Sequence, residues 1–285
     1  MRLLKIITIN VFILILLLCC FEFILYIVYK KNNPDETYHI GKIQYKSFII
    51  PKRFKTVEGK EFKKKPIIVL GCSFAYGSFS NKLSLSSKRP VYNYSLPGKG
   101  FQNALYILQN KLYDKNIDNP EYIIYVMMSD HIRRMYSSVC MGDFVGYPFY
   151  SFNKKGELVM KYDYYPVYRQ FYVFYYLNNI FYNFFLRNRY DLHNKYVNAY
   201  FMEMNKSLKE IYPNIKFVIL IYGDKSNFGL DMSFLEKNGL IILQTNEITG
   251  VDILSGEYQI SDTDLHPNEE AWEIIIPALI KELNL

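Results

Sequence analysis

The 285-residue sequence predicts an α/β fold, a doubly wound parallel sheet of about five strands, preceded by one transmembrane helix. Two observations support this fold class. Short apolar runs alternate with helical patterns over most of the chain, which is typical of a parallel sheet covered by helices on both faces. An almost wholly apolar run near the amino terminus, interrupted by Glu22 near its end, is long enough to span a bilayer as a helix.

The predicted strands are short apolar runs bounded by Pro, Gly, Asn or charged residues. They cover residues 66–71, 91–95, 121–127, 215–222 and 239–244. Helical patterns lie between or after them, at residues 101–115, roughly 192–211, and 268–283. Ligands of such sheets bind at the carboxyl ends of the strands. Ser73, Gly98 and Ser129 each follow a predicted strand, so we expect them to lie at one edge of the sheet.

The apolar run covers residues 6–28 and has basic residues on both sides. A cleaved signal peptide is the alternative, but it requires a shorter apolar region followed by small residues, and residues 23–26 are bulky. We therefore divide the chain into a membrane anchor, residues 1–31, and a domain, residues 32–285. The charges on the two sides are nearly balanced, so they do not set the orientation.

An insertion at about residues 131–190 does not follow the alternation of strands and helices. Within it, residues 164–185 are very rich in Tyr and Phe. This segment is interpreted as one or two helices packed over the core, as a lid or sugar-stacking platform near the site, or as a surface resting on the bilayer. The sequence leaves these alternatives open.

The net charge of +7 is modest, and the basic residues are scattered. No nucleic-acid-binding motif accompanies them, so nucleic acid is excluded as a partner. The one tight basic run, Lys63–Lys65, is interpreted as a solvated loop, with anionic lipid or an acidic glycan as the alternative contact.

The four cysteines do not have the spacing of a metal site or of a disulfide framework. Cys19 and Cys20 lie in the apolar run, Cys140 lies in a predicted loop, and Cys72 adjoins Ser73. Cys72 is interpreted as a small buried residue, with a reactive thiol as the alternative. The sequence indicates no metal and no organic cofactor.

Two distant segments supply the groups of a nucleophilic site. Residues 67–77, IIVLGCSFAYG, end a predicted strand in a tight turn that presents Ser73. Residues 262–268, DTDLHPN, contain His266 and two carboxylates, Asp262 and Asp264. A serine hydroxyl becomes an effective nucleophile when a histidine takes its proton and a carboxylate orients that histidine. The alternatives are that Ser73 is only a turn residue and that His266 only caps a helix.

These segments resemble the conserved blocks of the SGNH/GDSL hydrolase superfamily. GCSFAYG resembles the first block, and NYSLPGKG, residues 93–100, resembles the second. YVMMSDHIRR, residues 125–134, resembles the third block, and DLHPN, residues 264–268, resembles the last. The four blocks occur in the order of the family and span residues 66–283. The resemblance implies the flavodoxin-like sheet of the SGNH hydrolase fold and a domain outside the cytoplasm.

The resemblance also implies the roles of the residues. Ser73 is the expected nucleophile, His266 the base and Asp264, rather than Asp262, the orienting acid. The N–H groups of Ser73 and Gly98 are the expected oxyanion donors, with help from Ser129. The chain departs from the family at Cys72, where Asp is usual, and at Ser129, where Asn is usual. The neighbouring pair Asp130 and His131 has no serine motif and is not expected to form a second site.

The expected function is therefore that of a serine esterase which hydrolyses a small acyl group, such as acetyl, from a cell-surface carbohydrate. Transfer of the acyl group to a sugar hydroxyl is an equally open outcome of the same chemistry. The alternative from another class is an SGNH-fold protein of weak or no activity that binds glycans or acts in envelope assembly. The weaker donor expected at Ser129 favours that alternative.

Overall fold

The computed structural model describes residues 64–76, 78–110, 117, 119–136, 148–162 and 180–285, together with Phe54, Lys55 and scattered positions between Asn10 and Ile24. Over these residues, no helix combines the length and the apolar character needed to cross a bilayer. Most of the predicted anchor, residues 6–28, lies outside the described residues. The same is true of most of the chain that links it to the sheet.

The strands of the described residues are β1 (Phe54–Lys55), β2 (Ile67–Leu70), β3 (Val91–Asn93), β4 (Tyr122–Met127), β5 (Phe149–Phe152), β6 (Leu158–Tyr162), β7 (Lys216–Ile221) and β8 (Ile241–Gln244). The main sheet has the order β1-β3-β2-β4-β7-β8, and its strands are parallel except for β1. The order of the parallel strands is the flavodoxin-like one. The predicted parallel sheet of about five strands is thus confirmed.

The α-helices of the described core residues are α1 (Ser78–Ser87), α2 (Phe101–Gln109), α3 (Asp130–Met135), α4 (Tyr190–Lys209), α5 (Ser233–Lys237), α6 (Thr245–Thr249) and α7 (Glu269–Leu283). The three helices predicted from the sequence are present as α2, α4 and α7. Residues 111–116, at the end of the first predicted helix, lie outside the described residues.

The central strands are buried on both faces, which is why they appear in the sequence as unbroken apolar runs. In β2, Ile67 and Val69 face one core and Ile68 and Leu70 face the other. The first core is closed by α1 and α7, where Phe79 and Trp272 pack ring to ring at 5.2 Å. The second core is closed by helices including α2 and α4, which contribute many of its aromatic residues. The helices thus cover both faces, as a doubly wound sheet requires.

The insertion at 131–190 contains more regular structure than the sequence indicates. It holds most of α3 and the antiparallel hairpin of β5 and β6. Tyr150 of β5 is buried, and its hydroxyl donates to Gln109 Oε1 at 2.9 Å. Residues 164–179, most of the aromatic segment, lie outside the described residues. The described remainder is exposed at Ile180, Phe184 and Phe185, so these side chains do not pack over the core.

Candidate active site

Ser73 lies on a tight turn at the carboxyl end of β2. Gly71 opens the turn at φ 146°, and a Cβ there would lie 2.9 Å from the carbonyl oxygen of Val126 on β4, so the close approach requires glycine. Cys72 follows, and residues Ser73–Ala75 form one turn of 3₁₀-helix in which Ala75 N–H donates to Cys72 O at 3.0 Å. The turn leaves the Ser73 side chain half-buried at the sheet edge.

Cys72 is fully buried, which confirms the interpretation of this residue as a small core side chain. Its thiol contacts Met128 Sδ at 3.4 Å. Burial raises the pKa of this thiol, against the opposing effect of the nearby Arg134 charge. The thiol is therefore held in its protonated form, which is not the nucleophilic one.

The second turn follows β3 and is tied to the first by main-chain and side-chain bonds. Leu96 N–H donates to Gly71 O at 3.2 Å, and the Asn93 side-chain amide donates to Ala75 O at 2.7 Å. Gly98 has φ 72°, and Lys99 N–H closes a β-turn by donating to Leu96 O at 3.1 Å. This conformation suits a type II turn, in which glycine is favoured at this position.

Asp264 and His266 lie on the loop before α7, and several main-chain bonds fix this loop. Ile260 N–H donates to His266 O at 2.9 Å, and Asp264 N–H donates to Ser261 O at 3.1 Å. At the start of α7, Asn268 caps the helix, because its side-chain oxygen accepts from Ala271 N–H at 2.9 Å. The capping residue lies two residues after His266 and sets where α7 begins.

The structure brings Ser73, His266 and Asp264 into one continuous contact series. His266 Nε2 lies 2.6 Å from Ser73 Oγ, and His266 Nδ1 lies 2.5 Å from Asp264 Oδ1. The side chains of His266 and Asp264 are 41% and 45% exposed, so a ligand can reach them from solvent. The His266 hydrogen bonds also lower the pKa of the Asp264 carboxyl, which favours its ionised form.

Asp262, the other candidate carboxylate, is exposed on the same loop. The carboxylate that meets His266 is Asp264, and its Oδ1 atom also accepts the main-chain N–H of His266 at 3.1 Å. The D-x-H spacing makes this possible, since a side chain readily accepts from an N–H two residues further along the chain.

Phe74 is a residue of the site that sequence reasoning did not single out. Its ring lies 4.9 Å from the ring of His266 and 5.0 Å from that of Tyr222, which follows β7. Phe74 is buried, so it forms a fixed wall beside the imidazole. Its position directly after Ser73 in the sequence is a signal that could have suggested such a contact.

Ser129 follows β4 at the same edge of the sheet as Ser73 and Gly98. Its side chain is exposed. Ser129 directly precedes α3, but its side chain accepts no capping hydrogen bond from the described first turn of that helix. The structure thus places all three residues after parallel strands, as expected. The parts of Gly98 and Ser129 as oxyanion donors remain predictions.

Asp130 and His131 do not form a second acid–histidine pair. Asp130 binds Arg133 and Arg134 at 2.6 and 2.7 Å. His131 is fully buried and hydrogen-bonds Tyr125 at 2.9 Å, and burial holds the pKa of its imidazole well below the usual range. This imidazole is a neutral core residue.

No protein-family model matches the chain, and no curated protein matches it either. Several solved structures resemble it. An acetyl xylan esterase, Est2A, from the rumen bacterium Butyrivibrio proteoclasticus is 12% identical with a TM-score of 0.45, over 79% of this chain and 64% of that one. A putative lipolytic protein of the G-D-S-L family from Desulfitobacterium hafniense DCB-2 is 10% identical with a TM-score of 0.44, over 76% of this chain and 99% of that one.

A third solved structure is a carbohydrate esterase whose active site is described as having divergent catalytic and non-catalytic binding functions. It is 15% identical with a TM-score of 0.48, over 79% of this chain and 66% of that one. This chain therefore spans slightly less than two thirds of both the acetyl xylan esterase and the carbohydrate esterase.

Proposed function

We propose that this protein is a serine esterase that uses Ser73, His266 and Asp264 as its catalytic residues. The observation that supports it most directly is the unbroken contact series from Asp264 through His266 to Ser73. Two chain segments that are far apart in sequence bring these groups within hydrogen-bond distance, and the distances are those that proton transfer requires. A site that only bound a ligand would not need this order of groups.

In the proposed acylation step, Ser73 Oγ attacks the carbonyl carbon of an ester. The Oγ–C bond forms, the π electron pair moves to the carbonyl oxygen, and the Ser73 proton passes to His266 Nε2. Asp264 accepts the Nδ1–H bond, which keeps the imidazole oriented and stabilises its charged form. When the oxyanion collapses, the bond to the leaving alcohol breaks and the alcohol takes the proton from Nε2.

In the second step a water molecule attacks the acyl carbon and gives its proton to His266. The Ser73 Oγ–C bond breaks, the acid leaves, and Ser73 regains its proton from Nε2. If a sugar hydroxyl takes the place of water, the same steps transfer the acyl group to that sugar. N–H groups of Ser73 and Gly98, with the Ser129 hydroxyl, are the proposed donors to the oxyanion.

The proposed substrate is a small acyl ester, such as an acetyl ester, on a cell-surface carbohydrate. The resemblance of the four sequence blocks supports this substrate class. The apolar run at residues 6–28 supports a single-pass anchor that holds the domain at the membrane, and the resemblance supports an extracytoplasmic location.

The proposal is tested on the purified full-length protein in detergent. The wild type is expected to hydrolyse p-nitrophenyl acetate and to be labelled by a fluorophosphonate at Ser73, as read from the modified peptide by mass spectrometry. Ser73→Ala is expected to lose both. Ser78→Ala, which changes an exposed serine at the start of α1, is the matched control and is expected to behave as wild type.

A wild type that folds, but is neither labelled nor active, would contradict the esterase and favour the glycan-binding alternative. The exposed serine at the third-block position motivates that alternative. Labelling elsewhere than at Ser73 would contradict the assignment of the nucleophile.

A further inference from the structure

Arg134 of α3 is a buried cation beside the candidate site. Its side chain is only 8% exposed. A buried charge is costly unless it is paired and hydrogen-bonded. Arg134 satisfies this condition with two partners on different segments: its Nε donates to Asp130 Oδ2 at 2.7 Å, and its Nη1 donates to the carbonyl oxygen of Lys99 at 2.7 Å. A planar guanidinium can make both bonds at once.

The Lys99 contact connects Arg134 to the turn that contains Gly98. Lys99 is the last residue of that turn, because its own N–H donates to Leu96 O. The next residue, Gly100, also meets Arg134, since a Cβ at Gly100 would lie 3.6 Å from the Arg134 Cβ. Arg134 therefore binds the turn by its guanidinium and lies close to Gly100.

The main chain of Arg134 provides another attachment. Its carbonyl oxygen accepts a hydrogen bond from the side-chain amide of Gln102, in the first turn of α2. The loop between β3 and α2 is thus bound to Arg134 at Lys99, and the helix that follows it is bound at Gln102. These contacts fix the loop against α3, which begins where β4 ends.

Arg134 also acts on the segment of the nucleophile. Burial raises the pKa of the Cys72 thiol, and the charge of Arg134 acts in the opposite direction. The Gly98 turn is itself joined to this segment, because Leu96 N–H donates to Gly71 O. Arg134 is therefore next to the two turns whose relative position sets the distance between Ser73 and the Gly98 N–H.

We propose that Arg134 is a positioning residue which holds the Gly98 turn in place as an oxyanion donor. The proposal rests on the proposed esterase function. A donor stabilises an oxyanion only when it is already aimed at the place where the charge develops. Small misplacements are costly, since a shift of about 1 Å can lower a rate by about 100-fold.

Arg133 offers a matched control on the same helix. It binds the other oxygen of the same carboxylate, Asp130 Oδ1, at 2.6 Å. Its charge lowers the pKa of the Tyr182 hydroxyl, which burial raises, so it acts on a different part of the protein. Arg133→Met and Arg134→Met each remove one cation from Asp130. Arg134→Met also removes the guanidinium bond to the carbonyl oxygen of Lys99.

The test compares kcat and KM for p-nitrophenyl acetate, and the rate of fluorophosphonate labelling, in the full-length protein. Arg134→Met is expected to lower kcat and the labelling rate about 100-fold with KM within about threefold, because the loss falls on the transition state. Arg134→Lys keeps the charge but not the fork of donors, and is expected to recover only part of kcat, to about tenfold below wild type. Arg133→Met is expected to stay within about threefold of wild type.

Equal effects of Arg134→Met and Arg133→Met would overturn the proposal, and so would a loss confined to KM. If Arg134→Met does not fold, Arg134→Lys decides: a kcat lowered about tenfold supports the proposal, and a wild-type kcat overturns it. A wild type that shows neither activity nor labelling at Ser73 would instead overturn the esterase function, and the role of Arg134 with it.

Discussion

The Oδ1 atom of Asp264 accepts two hydrogen bonds from His266, one from Nδ1 at 2.5 Å and one from the main-chain N–H at 3.1 Å. The second bond fixes the carboxylate relative to the backbone, and the first fixes the imidazole relative to the carboxylate. With Nδ1 engaged in this way, Nε2 is directed at Ser73 Oγ, 2.6 Å away. The short D-x-H spacing thus determines both the orientation and the tautomer of the His266 imidazole.

Asp264→Asn is expected to lower kcat for p-nitrophenyl acetate by about 10⁴-fold, because an amide no longer holds the imidazole in the tautomer that accepts the Ser73 proton. The melting temperature should change little, since Asp264 lies at the surface. Asp262→Asn is the control and is expected to retain wild-type kcat, because Asp262 is exposed on the same loop. The reverse ranking of the two variants would show that the loop presents Asp262 to His266 in solution.

The lowered pKa of Asp264 predicts a pH dependence of stability. A carboxyl whose pKa is lower in the folded than in the unfolded state stabilises the fold fully above the unfolded value, about 3.9, and this contribution is lost as the pH falls through the folded value. The difference in free energy of unfolding between wild type and Asp264→Asn should therefore shrink as the pH falls below about 4. Urea denaturation at each pH measures it, and a difference that stays unchanged from about pH 5 to about pH 2 would contradict the role of the His266 bonds.

Phe74→Leu is expected to lower kcat by about tenfold or more, because the His266 imidazole would be held less firmly in place. The Phe74 ring lies against both His266 and Tyr222, and a smaller side chain leaves a gap beside the base. Tyr222→Phe is the control, since it keeps the ring and removes only the hydroxyl, which donates to Ile253 O at 3.4 Å. A kcat of Phe74→Leu equal to that of the control, measured on folded protein, would show that the His266 hydrogen bonds alone fix the ring.

The sheet was predictable from the sequence because its strands are buried on both faces. Two central parallel strands, β2 and β4, are apolar runs with no polar interruption. Helix α7 was predictable from the helical pattern at residues 268–283. The contacts of His266 with Ser73 and Asp264 were predictable because the resemblance to the family is concentrated in the segments that contain these residues.

Helix α1 was not predicted, because its sequence, SFSNKLSLSS, is rich in serine and has low intrinsic helix propensity. Its stability comes from tertiary packing of Phe79 and Leu83, four residues apart, which are fully buried in the core shared with α7. The hairpin of β5 and β6 was not predicted either, because it lies within the insertion that does not follow the alternation of strands and helices. The role of Arg134 depends on Lys99, 35 residues away, and no local pattern indicates that contact.

Cys72 is expected to resist alkylation in the folded protein although it adjoins the nucleophile. The side chain is fully buried and its thiol pKa is raised, so little thiolate is present or accessible at pH 8. Peptide mapping after iodoacetamide treatment should find Cys72 unmodified in native protein and modified in urea. Cys72→Ala should still be labelled by fluorophosphonate at Ser73. Rapid modification of Cys72 in the native state would favour the reactive thiol.

Ser129→Asn is expected to raise kcat on a small acetyl ester, and Ser129→Ala to lower it by up to about 100-fold. A serine hydroxyl is a shorter and less fixed donor than an asparagine amide, so it stabilises the oxyanion less well. Neither change should lower the melting temperature by more than a few degrees, because the side chain is exposed and does not cap α3 by a hydrogen bond to its described first turn. If both variants match the wild type while Ser73 is still labelled, the Ser129 hydroxyl faces away from the oxyanion. The N–H groups of Ser73 and Gly98 would then have to stabilise the transition state without a third donor.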